Sequence, residues 1–238
     1  MGIMKENLVR HAHDTTFSPV GLYNFVKGSE LVDSSGNGKD LTEQDAPTDD
    51  VDFIHGAAEG LINFGLYRND TTDFQYTGAM SYCCLVHTTG FVPDGTTNTA
   101  QLGTWEHVPS VDQRWGLQIK STGHIRYVHQ DGVTTYEAVA DRKIREHHKW
   151  HHVGFTRDSA GTGIKLYFNG VNIHSSTVGG APGTSGTGYF SIGELHAYSG
   201  SINTIAAVSS CAIYAAELTA DQIKYLARKT LGYSEVPN

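Results

Sequence analysis

From Trp150 to Arg157 the chain alternates, with Val153 and Phe155 on one side and His152, Gly154 and Thr156 on the other. Beyond the polar loop Asp158–Gly163 the alternation resumes, with Ile164, Leu166 and Phe168 set against Lys165, Tyr167 and Asn169. Period-two spacing in β-branched and aromatic sequence predicts two strands. Asn169-Gly170 follows at once, and both residues tolerate the positive φ of a type I′ turn, so a third strand is expected from Val171. Three antiparallel strands cannot bury an apolar face alone; a second sheet must cover it.

The same reading predicts strands at Val20–Val26, Leu61–Tyr67, Tyr76–His87, Gly103–Trp105, Tyr189–Gly193 and Val208–Tyr214. Tyr76–His87 is apolar on both faces, which suits a central strand. Trp115–Lys120 and His124–His129 form an expected hairpin, with Leu117 and Ile119 facing Ile125 and Tyr127. Asp141–Lys149 reads as a charged connector and His174–Gly188 as a long Ser/Thr/Gly loop. Residues 1–19 are polar and end at Ser18-Pro19, which predicts an arm ordered by a neighbour. A C-terminal helix opens at Thr219 with Gln222 as its capping-box partner. Leu218 and Ile223 form a staple across that start. Ile223, Leu226, Ala227 and Leu231 make one apolar stripe, and Gly232 ends it.

Four segments in order carry a resemblance: Leu22-Tyr-Asn-Phe25 followed by Asp33–Asp40; Trp150-His-His-Val153 with Leu166-Tyr-Phe-Asn-Gly-Val171; Phe190-Ser-Ile-Gly193; and Ala212-Ile-Tyr214 with Glu217-Leu-Thr219 and the helix. The chain resembles laminin G-like jelly rolls of the concanavalin A-like lectin/glucanase superfamily from about residue 20 to 232. The resemblance implies an all-β, two-sheet antiparallel β-sandwich with a short C-terminal helix. The expected organisation is an N-terminal arm at 1–19 and one domain at 20–238.

Composition narrows the class. A chain of 238 residues, 39% hydrophobic, with 27 glycines and 18% charged residues, suits one turn-rich β domain. A net charge of −8 argues against nucleic acid as a partner. Acidic residues gather in Asp40–Asp52, read as a solvated loop. The first residues hold no apolar run of signal-peptide length, and no 18-residue apolar run suggests membrane insertion. Of three cysteines, Cys83 and Cys84 are neighbours on a strand and must point to opposite faces. An odd count argues against a disulfide scaffold.

The superfamily includes glucanases, which the resemblance implies would place Glu-x-Asp-x-Glu on one strand face. Glu43-Gln-Asp45 and Glu137 with Asp141 lack the third acid, so no catalytic residue is assigned and an enzyme is not expected. The resemblance also implies a structural calcium at a rim loop, for which Asp33, Asn37 and Asp40 supply the oxygens. The alternative is an Asx-rich turn that bonds its own backbone, and Ser209 and Ser210 are neutral where relatives carry an acid. No other cofactor is expected. Among 13 histidines, His147, His148, His151 and His152 flank Trp150, but strand alternation separates the last two, so the run reads as structural. Sugar binding requires an aromatic platform with polar partners, for which Trp105, Trp115, Tyr136 and Tyr198 are the candidates; Trp115 also suits the core.

These readings lead to an expected non-enzymatic structural or adhesion protein. The form expected first is a bacteriophage virion protein, a capsid decoration or tail-associated subunit located in the virion and assembled in the host cytoplasm. Its partners would be other virion subunits or further copies, met through the arm and sheet edges. The alternative is a soluble glycan-binding lectin-like domain, with a glycosidase third.

Overall fold

The computed structural model describes residues 13, 15–25, 32–44, 53–54, 57–58, 65–70, 73–88, 99–108, 112–146, 149–183, 187–193 and 206–232. Its strands are β1 (Gly21–Asn24), β2 (Thr42–Gln44), β3 (Phe53–Ile54), β4 (Ala57–Ala58), β5 (Gly65–Asp70), β6 (Met80–Thr88), β7 (Thr99–Val108) and β8 (Asp112–Lys120). They continue with β9 (His124–Gln130), β10 (Thr135–Lys143), β11 (Trp150–Arg157), β12 (Gly163–Phe168), β13 (Val171–Thr177), β14 (Thr187–Gly193) and β15 (Ala206–Tyr214), and helix α1 (Ala220–Leu231) closes the chain. Two antiparallel sheets result. The first runs β13-β12-β11-β6-β15-β4-β3, with β1 also on β15; the second runs β10-β9-β8-β7-β14-β5-β2. This is the expected β-sandwich.

The Asn169-Gly170 turn forms as the sequence predicts, with φ of 49° and 78°. The β8–β9 hairpin has Leu117 opposite Tyr127 and Ile119 opposite Ile125. β6 lies between β11 and β15, so both its edges are paired, and its two faces are covered by the inter-sheet core and by the helix. Cys84 enters the main core, whereas Cys83 points into the cluster beneath the helix. Two expectations are corrected. Residues 135–143 form strand β10, because the sparse pattern Ala138 and Ala140 already buries its inward side. β13 extends to Thr177, so the first four residues of the expected Ser/Thr loop, His174–Thr177, belong to an edge strand. The polar segment before Pro19 is not wholly detached either. His13 is 2% exposed, and the Phe17 ring meets Tyr225 of the helix edge-on at 5.7 Å.

Between the sheets lies an aromatic core. Trp115 packs against Tyr82, Phe155 and Phe190 at 5.6, 5.9 and 5.8 Å between ring centres. Its indole N–H donates to the Phe74 carbonyl at 2.9 Å, which meets the one polar need of a buried tryptophan. A cation is buried here too. Arg157 donates from Nε to Gly78 O at 2.8 Å, from Nη1 to Tyr127 Oη at 2.9 Å, and from Nη2 to Tyr76 O. Tyr127 lies 3.1 Å from His129 Nδ1, and His129 Nε2 lies 3.1 Å from Gly180 O. One set of roles satisfies the chain: Arg157 donates to the phenol, the phenol to Nδ1, and Nε2–H to the carbonyl. Burial first, and then the Arg157 charge, push the His129 pKa down to about 4.

On the outer side of the first sheet, Leu218, Ile223 and Leu226 of the helix region pack with Leu22, Cys83, Tyr167, Ala212 and Tyr214. Ala227 and Leu231 meet Leu85. Both arms of the Thr219–Gln222 capping box form. Leu226→Ala should lower stability by about 2–5 kcal/mol, the range for emptying a buried leucine site. Chemical denaturation measures it, and an unchanged midpoint would contradict the docking.

Candidate functional site

The helix leaves one broad sheet face to the other side of the sandwich. Along β8, β9 and β14, and along β7 apart from its bulges, inward apolar residues alternate with outward ones, and antiparallel register aligns these in rows. One row runs Glu137, Val128, Gly116, Thr104, Ser191 and Tyr67 across six strands. Beside it run Arg126, Gln118 and Gln101 on one side, and Glu106, Tyr189 and Asn69 on the other. Bulges in β7 at Gln101–Gly103 and Trp105–Glu106 keep Thr104 and Glu106 on this face while Leu102 and Trp105 point inward.

These polar residues are held deep. Gln101, Thr104, Glu106, Gln118 and Ser191 are all 3% exposed or less, although they point away from the core. Thr104 Oγ1 donates to Gln101 Oε1 at 3.0 Å, and Arg126 Nη1 donates to Gln118 Oε1 at 3.2 Å. Arg126 Nε also lies 2.7 Å from Glu137 Oε2. Ser191 Oγ is buried with no hydrogen-bond partner, an expense a fold normally avoids. Gly116 keeps the middle of the row low, since a Cβ there would come within 3.0 Å of Thr104 Oγ1. The half-buried rings of Tyr67 and Tyr189 flank the row, edge to face at 5.9 Å. The result is a floor of amides, hydroxyls and carboxylate with aromatic rings at one end.

The sequence candidates fall elsewhere. Trp105 and Trp115 are fully buried in the aromatic core, so neither offers a ring face to a ligand. Tyr136 is half-buried on β10; its ring packs on Gly179 and Gly180, and its hydroxyl donates to Asp131 Oδ2 at 3.2 Å. Tyr198 lies outside the described residues. The missed residues, Gln101, Gln118 and Ser191 above all, were visible as the polar alternates between core positions in their strands.

In the Asp33–Asp40 turn, both Asp33 oxygens face the chain's own donors. Oδ1 accepts from the Leu22 and Ser35 amides at 3.0 and 2.9 Å. Oδ2 accepts from Ser35 Oγ at 2.8 Å and from the Lys39 amide at 3.0 Å. Burial alone would raise the Asp33 pKa, but these bonds together outweigh it and hold the carboxyl below the usual range. Asp40 Oδ1 accepts from the Asp33 amide at 2.9 Å, while Asn37 Nδ2 donates to Ser35 Oγ at 2.9 Å. Among the described residues no group of three His, Cys, Asp or Glu side chains could hold a metal ion.

The model of the concanavalin A-like lectin/glucanases superfamily matches residues 69–224. The chain belongs to this superfamily. Comparison with curated proteins returns no match. Among solved structures, the botulinum neurotoxin serotype D binding domain is similar at a TM-score of 0.66 and 16% identity, over 89% of this chain and 50% of that one. The receptor binding domain of the C/D mosaic serotype gives 0.65 and 16%, over 89% and 51%. The serotype G binding domain gives 0.63 and 15%, over 88% and 50%. This superfamily member thus spans about half the length of those structures, and at such identity the likeness is one of fold. No helix among the described residues is long and apolar enough to cross a membrane.

Proposed function

We propose that this superfamily member is a non-enzymatic binding module that takes a hydroxyl-rich ligand, a glycan, on the outer face of its seven-stranded sheet. The observation that carries the reading is the buried polar row of Gln101, Thr104, Glu106, Gln118 and Ser191, flanked by Tyr67 and Tyr189. Planar amides and hydroxyls match the alternating donors and acceptors of a sugar, and tyrosine rings match its C–H faces. Recognition by named binding domains of the same fold agrees with an adhesive role.

Catalysis fits this face poorly. Glu106 on β7 and Glu137 on β10 are three strand spacings apart, roughly 14 Å at about 4.8 Å per strand. A glycosidase pair needs about 5–9.5 Å.

We infer that the Asp33 turn stands without calcium, because its carboxylates already answer backbone amides. The melting temperature should be the same with EDTA as with added calcium; a calcium-dependent rise would contradict this. The narrower expectation of a bacteriophage virion subunit, with other virion proteins or further copies as partners, draws on the sequence reasoning and on no feature of the fold. Mass spectrometry of purified particles decides it: a fixed copy number supports it, and absence from particles ends it.

The binding reading is tested by a glycan array followed by calorimetry on the hits. Gln118→Ala and Tyr189→Ala should each weaken binding about tenfold, the equivalent of about 1.4 kcal/mol, while Tyr136→Ala should leave it unchanged. A bound glycan indifferent to both substitutions would place the site elsewhere.

A further inference from the structure

His13 makes a contact on the outer face of the first sheet that neither the helix nor the polar row requires. Its Nδ1 lies 2.8 Å from Ser210 Oγ on β15, and its Nε2 lies 3.3 Å from Nε2 of His152 on β11. Its carbonyl accepts from Asn24 Nδ2 on β1 at 3.2 Å. His152 is fully buried, and its Nδ1 has no hydrogen-bond partner. One arrangement leaves no buried N–H unanswered: His152 Nε2–H donates to His13 Nε2, and His13 Nδ1–H donates to Ser210 Oγ. Both imidazoles are then neutral.

An added proton has no good place here. It either leaves an N–H at His152 Nδ1 without an acceptor or sets two N–H groups facing each other across 3.3 Å. On the outer face of these strands and on the helix, the other described ionisable side chains are Cys83 and His87 of β6, Lys165 and Tyr167 of β12, Tyr214 of β15, and Asp221, Lys224, Tyr225, Arg228 and Lys229 of α1. Glu217, before the helix, is bonded to Lys165. His87 is committed to the Trp150 ring at 5.1 Å. Asp33, beside β1, spends its carboxylate on Leu22, Ser35 and Lys39. None of these described groups bonds to the buried His152 ring.

The chain just after His13 pulls against docking. Phe17 and Ser18 both have left-handed φ, 64° and 53°, immediately before Pro19. A residue preceding proline favours extended backbone, and consecutive left-handed positions are strained for residues other than glycine. The docked segment is therefore held by the histidine contact and the Phe17–Tyr225 ring contact against a strained hinge.

We propose that the His13–His152 contact is a proton-controlled latch, which keeps His13 and residues 15–18 docked at neutral pH and releases them on acidification to uncover the face of β1, β11 and β15. The sign follows from linkage. Burial, and then the neighbouring His13, hold the His152 pKa well below its ordinary value in the docked state. The released state binds more protons, so docking is complete above the ordinary histidine pKa of about 6.5 and weakens as pH falls below it. Each histidine that gains a proton on release contributes up to about tenfold per pH unit.

Hydrogen–deuterium exchange of the whole chain at pH 7.5 and 5.0, corrected for intrinsic rates, reads the latch directly. Protection of peptides covering residues 13–18 should fall at least about tenfold at the lower pH, while helix peptides at 220–231 hold theirs. His13→Ala should leave the segment unprotected at both pH values, and His87→Gln should keep the pH dependence. Equal protection at both pH values in the unsubstituted chain, or a pH dependence that survives His13→Ala, would overturn the latch.

Discussion

Trp115 is the contact on which the geometry of the sandwich turns. Its indole touches rings from both sheets, Tyr82 and Phe155 from one and Phe190 from the other, and its N–H is bonded to the Phe74 carbonyl. That packing sets how far apart the sheets lie and which residues of β7 and β8 point inward. Because side chains alternate, fixing Trp105 and Trp115 inward fixes Thr104, Glu106 and Gln118 outward. The outward polar row is thus a consequence of the core, read from its other side.

The two outer faces of the sandwich have opposite characters. One is apolar and is closed by α1 through Ile223, Leu226, Ala227 and Leu231, with His13 completing the cover at its margin. The other is polar and carries its own hydrogen bonds, Thr104 to Gln101 and Arg126 to Gln118. A fold places amides, hydroxyls and a carboxylate at less than 4% exposure only at a cost in desolvation. An apolar face of the same shape would be more stable, and the polar choice agrees with the proposed recognition. The buried Arg157 is a different case: its bonds to Tyr76, Gly78 and Tyr127 tie a loop to the core.

Much of the fold was legible in the alternation. The hairpin at Asn169-Gly170, the opposed faces of Cys83 and Cys84, the β8–β9 register and the Thr219 capping box all follow from local rules, and the structure has each of them. β10 escaped because its inward residues are alanines, which carry little hydrophobic signal. The candidate site escaped for a related reason. The sequence suggests aromatic platforms at loop edges, yet Trp105 and Trp115 serve the core, and the ring pair beside the polar row is Tyr67 and Tyr189. Gln101, Gln118 and Ser191 were in plain view, but only cross-strand register shows that they converge. The sequence places His13 in an arm ordered by a neighbour, since nothing local reveals a partner such as His152, 139 residues away.

The claim that a ligand lies on the seven-stranded sheet is tested most directly by amide correlation spectra of the labelled protein during titration with a bound glycan. The account predicts that the backbone amides of Gln101, Thr104, Gln118, Arg126 and Ser191 shift together and saturate at one affinity. Shifts confined to the Asp33–Asp40 turn or to the Asp131–Thr134 tip, with the sheet unmoved, would contradict it.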